Sequence, residues 1–321
     1  MNFLLRLMRV KELSIVLVTI VAAIYFTASS SGFNTVGNYQ TIAQELAPWA
    51  IIAAGEVMLL ICGEIDLSAG HVYALTPFVM MLFSVNGAPL FLAVIGAVLV
   101  ATLIGVINGL IRTVLTLPSF ITTLGMAFFL QGMTLIISDA RPVAAPTDHW
   151  VVEVFGGARW SELLWVLVIV ALMQVVLSAT RFGVYTQATG GNPLGAAESG
   201  IRTNRVKITN FAITSTFAGI GGILQGIRVG SIDPTNGGFN YMFFAVAAAV
   251  IGGTALLGGS GTVIGAFLGA LLLAMVKIGF NVVGISAIAF NVVLGVAILV
   301  AMTLNAGLIM ARARLGSRSL T

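Results

Sequence analysis

Apolar residues in this chain neither alternate with polar ones nor recur only every third or fourth position; they run on unbroken. Continuous apolar stretches between polar breaks occupy residues 13–29, 46–62, 70–85, 90–111, 119–137, 162–180, 206–226, 243–257, 261–280 and 287–309. An α-helix of about 20 residues crosses the roughly 30 Å hydrocarbon core of a bilayer. Strands of a membrane barrel would instead show alternating segments of about ten residues. The pattern therefore predicts an all-α fold: a polytopic helical membrane protein with about ten transmembrane segments in a single domain, 1–321. The eighth stretch is short and bounded by glycine, so it either crosses or is re-entrant.

Charge places the segments. Lysine and arginine total 15, aspartate and glutamate 11, only 8% of the 321 residues, against 59% hydrophobic. Soluble domains carry about 25% charged residues, so this chain lacks the polar surface for one. With ten crossings both termini share a side. That side holds Arg6, Arg9, Lys11, Arg112, Arg181, Arg202, Arg205, Lys207, Arg312, Arg314 and Arg318, and the other only Arg141, Arg159 and Arg228. The positive-inside bias puts both termini in the cytoplasm. The net charge of +4 thus reads as topology rather than as an affinity for nucleic acid. The first segment reads as an uncleaved span, because its removal would put the termini on opposite sides.

Two stretches share a motif. Gly63-Glu64-Ile65-Asp66-Leu67-Ser68-Ala69-Gly70 and Gly230-Ser231-Ile232-Asp233-Pro234-Thr235-Asn236-Gly237 both read G-x-I-D-x-x-x-G. Five predicted spans separate them, so the copies fall on opposite faces, as an inverted internal repeat requires. Each Asp is expected first as a cap, accepting backbone N–H bonds at the start of the following helix. Contact with a solute is the second reading.

Polar residues inside apolar runs carry a desolvation cost and so call for partners or a cavity. Glu56 lies near the middle of the second run and Glu64 toward its cytoplasmic end. Asn108, Gln131, Asn281 and Asn291 could line a pathway or bridge helices. Lys277, near the outer end of its run, is expected to snorkel. Cys62 reads as a small buried hydrophobe. Glycines four apart, Gly261, Gly265 and Gly269 or Gly222, Gly226 and Gly230, predict close helix approach, within one subunit or between two.

Enzyme chemistry finds no support. H-E-x-x-H is absent, and so is G-x-x-x-x-G-K-[ST], the loop that cradles ATP phosphates. Gly258-Gly259-Ser260-Gly261 resembles a membrane serine-protease motif, but His71 and His149 both precede it where such a base should follow. The cytoplasmic loop, about 181–206, is more informative. Asn192 at an N-cap, Pro193 at the first helical position and Gly200 as terminator define a short helix with a small apolar interior of Leu194, Ala196 and Ala197. A helix of two turns is unstable alone in water, so it must dock on the bilayer, on its own subunit or on a partner.

That segment, G-G-N-x-x-x-A-A-x-x-x-G-I before a basic stretch, resembles the coupling-helix region of ABC importer permeases of the ribose-type monosaccharide family. The 64–70 segment resembles the family's G-G-I-D-L-S-V-G signature. Gly105-Val106-Ile107-Asn108-Gly109 with Leu117-Pro118-Ser119-Phe120-Ile121-Thr122-Thr123-Leu124-Gly125 resembles its N-G…P-P-F-I-x-T-L-G run. Ile251-Gly252-Gly253-Thr254 with Gly258-Gly259-Ser260-Gly261-Thr262 resembles its I-G-G-T…G-G-x-G run. The likeness covers nearly the whole chain, in order. Branched-chain amino-acid permeases are similar in architecture, but the G-G-N segment is closer to the sugar branch.

The resemblance implies a type II importer fold in the bacterial plasma (inner) membrane. It implies a homodimer, two ATP-binding-cassette subunits beneath it and a periplasmic sugar-binding protein above. This chain would bind no cofactor; ATP and Mg would belong to the partner ATPase. Asn192, Pro193, Leu194, Ala196, Ala197 and Gly200 would form the ATPase-coupling contact. Asp66, Ser68 and Gly70 match the signature loop, and Asn108, Phe120 and Thr122 the second run; Glu56, Glu64, Gln131, Asn281 and Asn291 complete the candidate pathway. Glu64 stands where the family has Gly, Ala69 where it has Val, and Gln131 where an Arg often precedes Gly. The outer loop, about 138–161 with Trp150 and Trp160, would be part of the binding-protein platform or an interfacial anchor. A competing reading is an ion-coupled secondary transporter with Glu56 as proton carrier and the inverted repeat as rocking unit.

Overall fold

The structure, a computed structural model, describes residues 12–147, 150–286, 289–299 and 303. Helices account for nearly all of its regular structure. They are α1 (Leu13–Ser29), α2 (Val36–Ile61), α3 (Ala69–Val85), α4 (Leu90–Val114), α5 (Ser119–Ser138), α6 (Ser161–Ala179), α7 (Arg181–Gly191), α8 (Pro193–Glu198), α9 (Thr203–Val229), α10 (Gly238–Ile251), α11 (Val263–Val283) and α12 (Ala289–Leu299). Every predicted apolar run has its helix, and five of these helices are long and apolar enough to cross a membrane. The chain is thus a polytopic helical membrane protein. Much of the run at 287–309, His149 and the basic residues of both ends lie outside the described residues.

Where helix and apolar run differ, the backbone is responsible. Helix α2 starts ten residues before the apolar run, with the Thr35 hydroxyl accepting the Asn38 N–H at 3.3 Å. Polar side chains such as Asn38 and Gln40 end the apolar stretch but leave the helical hydrogen bonds intact. Helix α10 is displaced the other way. The sequence places it at 243–257, whereas it covers Gly238–Ile251 and ends where Gly253 (φ +91°) turns the chain. Its 14 residues extend about 21 Å at 1.5 Å per residue, too short to cross a bilayer alone.

At the centre lie α2 and α9. Helix α2 is buried from Leu46 to Ile61, and α9 packs along α4, α2 and α3. Glycines set these approaches. A Cβ on Gly105 of α4 would sit 2.4 Å from the Phe211 carbonyl oxygen, and one on Gly222 would sit 2.0 Å from that of Tyr73. Likewise Gly265 and Gly269 meet the Gly252 and Ala248 carbonyls at 2.2 and 2.1 Å. Gly222, Gly226, Gly261, Gly265 and Gly269 therefore serve packing within this subunit, whereas Gly230 (φ +73°) ends α9 with nothing within 4 Å. On α5, by contrast, Gly125 and Gly132 have nothing within 4 Å.

Lys277 does not snorkel. It bonds Glu45 of α2 and lies over the Trp49 ring, 5.2 Å from its centroid, an attraction that grows where water is scarce. Cys62 is buried, its sulfur accepting the Asn210 amide, in keeping with the bland reading.

The glycine contacts predict a contrast. Gly70→Ala should lower stability by about 1–3 kcal/mol, the usual cost of overpacking, because its Cβ would fall 1.9 Å from the Gly238 carbonyl oxygen. Gly125→Ala should leave thermal unfolding of the detergent-purified chain unchanged. Equal midpoints for the two variants would contradict the packing described.

Candidate functional site

The loop at 62–68 does not stay at the end of the bundle. Gly63, at φ +75°, reverses the chain after α2, and the loop then rises beside the interior of α4, α5 and α9. The Ser119 hydroxyl on α5 accepts the Ile65 N–H at 3.3 Å, and the Thr123 hydroxyl accepts that of Leu67 at 3.0 Å. A segment without helical bonds must satisfy its backbone groups this way when water is excluded.

Asp66 closes the loop. Its Oδ1 accepts the Ser68 N–H at 2.9 Å and the Ser68 hydroxyl at 2.6 Å. Asn108 of α4 donates to Ser68 Oγ at 2.8 Å and faces both carboxylate oxygens at 3.4 Å. Ser215 of α9 donates to Oδ2, also at 3.4 Å. Asp66, Ser68, Asn108 and Ser215 are all fully buried. Asp66 therefore caps the turn at Ser68 just before α3 and not, as expected, the helix start itself, which receives no side-chain cap bond, and Asn108 belongs to this network.

Glu64 is buried too, and its charge is compensated. Arg112 Nε donates to Oε2 at 2.9 Å and Lys207 Nζ to Oε1 at 2.6 Å. Burial alone would push this carboxyl up, but the two cations and the Ser119 hydroxyl overcome it and hold it below the usual carboxylate range. One side chain thus ties the loop to α4 and α9. Glu56 differs: it is fully buried beside Asp66, with neither carboxylate oxygen hydrogen-bonded among the described residues.

The second motif copy repeats the first turn. Asp233 Oδ1 accepts the Thr235 N–H at 2.8 Å and the Thr235 hydroxyl at 2.7 Å, the same pair of bonds that Asp66 takes from Ser68. It therefore caps a turn and not, as expected, the helix start itself, which lies further on at Gly238. The copies then meet. Cβ atoms placed on Gly70 and Gly237 would fall 1.9 Å from the Gly238 oxygen and 2.8 Å from the Gly70 oxygen. So α3 and α10 begin against one another, backbone to backbone. The shared turn and this juxtaposition are what a duplicated unit produces, although side-chain identity around the motifs is slight.

Each loop is also held by a surface segment. Residues Val143–Ala144 of the outer loop pair antiparallel with Ser231–Ile232 of the second copy. In the same loop the Trp150 ring packs on Phe91 and Arg159 lies over Trp160. At the other end α7 meets the end of α2, where a Cβ on Gly190 would fall 1.6 Å from the Ile61 oxygen. That carbonyl also accepts the Gly259 N–H at 2.8 Å. Helix α8 follows α7 directly. Asn192 caps it by accepting the Gly195 N–H at 3.0 Å, and Gly200 (φ +83°) ends it. Leu194 and Ala197 are exposed, Leu194 by 71%. Ala196 is buried against its own chain, which corrects its place in an outward contact. Beside α8 lies a groove of about 350 Å³ lined by Phe182, Tyr185, Ile201, Arg202 and Arg205 among others.

The remaining candidates do not join the loops. Thr122 is buried with its hydroxyl unpartnered among the described residues, whereas Phe120, Gln131, Asn281 and Asn291 are exposed. Sequence reasoning missed Arg112 and Lys207 as partners of Glu64, and Ser119, Thr123 and Ser215 as partners of the loop. Only unpaired bases and hydroxyls near predicted helix ends signalled them.

Glu64→Gln should cost about 2 kcal/mol, the worth of hydrogen bonds to a charged group, and show as a lower melting midpoint in detergent, with Glu198→Gln unchanged. Because its folded pKa is depressed, Glu64 contributes above its unfolded pKa and loses the contribution as pH falls through the folded value. The difference between wild type and Glu64→Gln should therefore shrink in acid and persist at neutral pH.

Comparison with known proteins agrees with this architecture. The chain is 38% identical over 312 residues to the xylose/arabinose import permease protein of Sulfolobus acidocaldarius, covering 94% of this chain and 86% of that one. It is 32% identical over 315 residues to the ribose import permease protein of Escherichia coli K12, covering 92% and 93%. Against the ribose import permease protein of Bacillus subtilis it is 32% identical over 273 residues, or 84% of each. No solved structure matches. Residues 38–302 match the family described as the branched-chain amino acid transport system permease component, and the chain belongs to that family, in its ribose-type ABC import permease branch.

Proposed function

We propose that this chain is the membrane-embedded permease subunit of an ATP-driven importer of a monosaccharide. It works as a homodimer of subunits with about ten membrane segments each in the bacterial plasma (inner) membrane, with both termini in the cytoplasm. It catalyses no reaction itself. Two separate ATP-binding-cassette subunits bind ATP and Mg, and a periplasmic sugar-binding protein delivers the solute. The xylose/arabinose and ribose import functions carried in the names of its relatives support this substrate class.

The observation that carries the reading is the placement of α8. A six-residue helix, capped at both ends, presents Leu194 and Ala197 outward while Ala196 anchors it to its own chain. Too short to persist by itself in water, it is held rigid for a partner's groove. Asn192, Pro193, Leu194, Ala197 and Gly200 form or shape that contact. Movement of α8 passes through α7 to the Ile61 carbonyl and so to the loop that holds Glu64, Asp66, Ser68 and Gly70.

The outer loop, about 138–161, works as the corresponding platform for the binding protein, coupled to the second motif copy by its strand pairing. In this reading Glu56, buried beside Asp66, is assigned no proton-carrying role.

Ala197→Arg should abolish co-purification of a P-loop ATPase with the detergent-solubilised chain and reduce sugar uptake by about tenfold or more, as expected when a bulky charge enters a packed interface. Glu56→Gln should transport at a rate near wild type. An intact chain that brings down no ATPase in several mild detergents, together with uptake abolished by Glu56→Gln, would favour the proton-coupled reading instead.

A further inference from the structure

The junction of α3 and α10 carries side chains that the packing of the bundle does not use. Helix starts expose N–H groups that have no intrahelical partner, and they carry partial positive charge. Here two such starts touch through Gly70, Gly237 and Gly238. In the first turn of α3, His71 is only 5% exposed, and its Nε2 has no hydrogen-bond partner among the described residues. The imidazole is turned toward α10, with Nε2 3.7 Å from the point a Cβ on Gly238 would occupy. A buried ring nitrogen left unmatched carries a real cost, so this one is placed for a group that the described residues do not supply.

Aromatic rings surround it. Phe239 of α10 meets the imidazole edge-on, with centroids 4.8 Å apart. Phe128 of α5 meets Phe239 at 5.7 Å, and Phe243 lies nearly parallel to it at 6.2 Å. Phe128 and Phe243 are 59% and 54% exposed. The same stretch of α5 leaves Gly125 and Gly132 uncovered and carries the exposed amide Gln131. An amide does not belong against lipid tails, where its polar atoms would go unpaired.

We propose that His71, Phe128, Phe239 and Phe243 form a sugar-contact station on the translocation pathway, an inference that rests on the import reading above. Monosaccharides have apolar C–H faces, which lie well on aromatic rings, and a rim of hydroxyls. A few convergent polar groups in an aromatic wall suit such a ligand. Phe239 covers the imidazole and turns aside as a sugar hydroxyl reaches Nε2.

The test is uptake of radiolabelled ribose, xylose and arabinose by cells carrying the intact transporter, with ATP hydrolysis and membrane abundance measured alongside. Phe239→Ala and His71→Ala should lower maximal uptake about fivefold to tenfold, the scale of one lost hydrogen bond or ring contact. ATP hydrolysis should persist, Phe239→Trp should restore uptake, and His71→Gln should change the ratio of rates among the three sugars. In a Cys62→Ser background, the transported sugar should protect Phe243→Cys from maleimide.

Variants at wild-type abundance that carry all three sugars at unchanged rates and ratios would overturn the station and leave the import reading intact. So would absence of protection at residue 243, or a loss of dimer that removes uptake and ATP hydrolysis together. If deleting the chain leaves uptake of every monosaccharide tested unchanged and no ATPase co-purifies with it, the import reading itself falls, and the station with it.

Discussion

Everything in this bundle follows from how it satisfies non-helical backbone where water is excluded. Hydrocarbon offers no hydrogen bonds, so an irregular segment at membrane depth survives only if the protein satisfies it. Asp66 is the group on which that depends. Its carboxylate holds Ser68, faces Asn108 and Ser215, and so joins α4 and α9 around the start of α3. Glu64 adds charge pairs to the same two helices. Buried ion pairs often add little net stability, because desolvation offsets their attraction. Here the pairs fix where the loop sits.

The second copy solves the same problem with the same turn, and contact between α3 and α10 makes the two loops one mechanical element. Each is fastened to a different surface. The outer loop reaches the second copy through a two-residue strand pair, and α7 reaches the first through Ile61 and Gly190. Both surface segments therefore connect to one backbone junction. A junction packed at this closeness moves as a body, since close-packed interiors transmit displacement rather than absorb it.

Much of this was legible from residue order. The α8 cap at Asn192, its proline and its glycine stop predicted the helix to the residue, because capping is a local interaction between neighbours in sequence. Apolar runs located every helix except α7 and α8, since hydrocarbon demands long uninterrupted apolar stretches. Ends were less legible: α2 began early and α10 was shifted, because helical hydrogen bonds ignore polarity and glycine turns override it. Lys277 and Ala196 were misjudged for a common reason, as the direction of a side chain depends on helices remote in sequence.

By itself the sequence determined the fold class, the number of apolar segments, the repeated motif, the short capped helix α8 and, through four ordered motifs, the family. Each of these rests on interactions within a few residues or on the uniform demand of the bilayer. Only the tertiary structure decided that Glu64 meets Arg112 and Lys207, that Asp66 meets Asn108 and Ser215, and that the starts of α3 and α10 touch. Those contacts join residues 42 to almost 170 positions apart, and no local pattern records which distant helix will supply the partner for a buried charge.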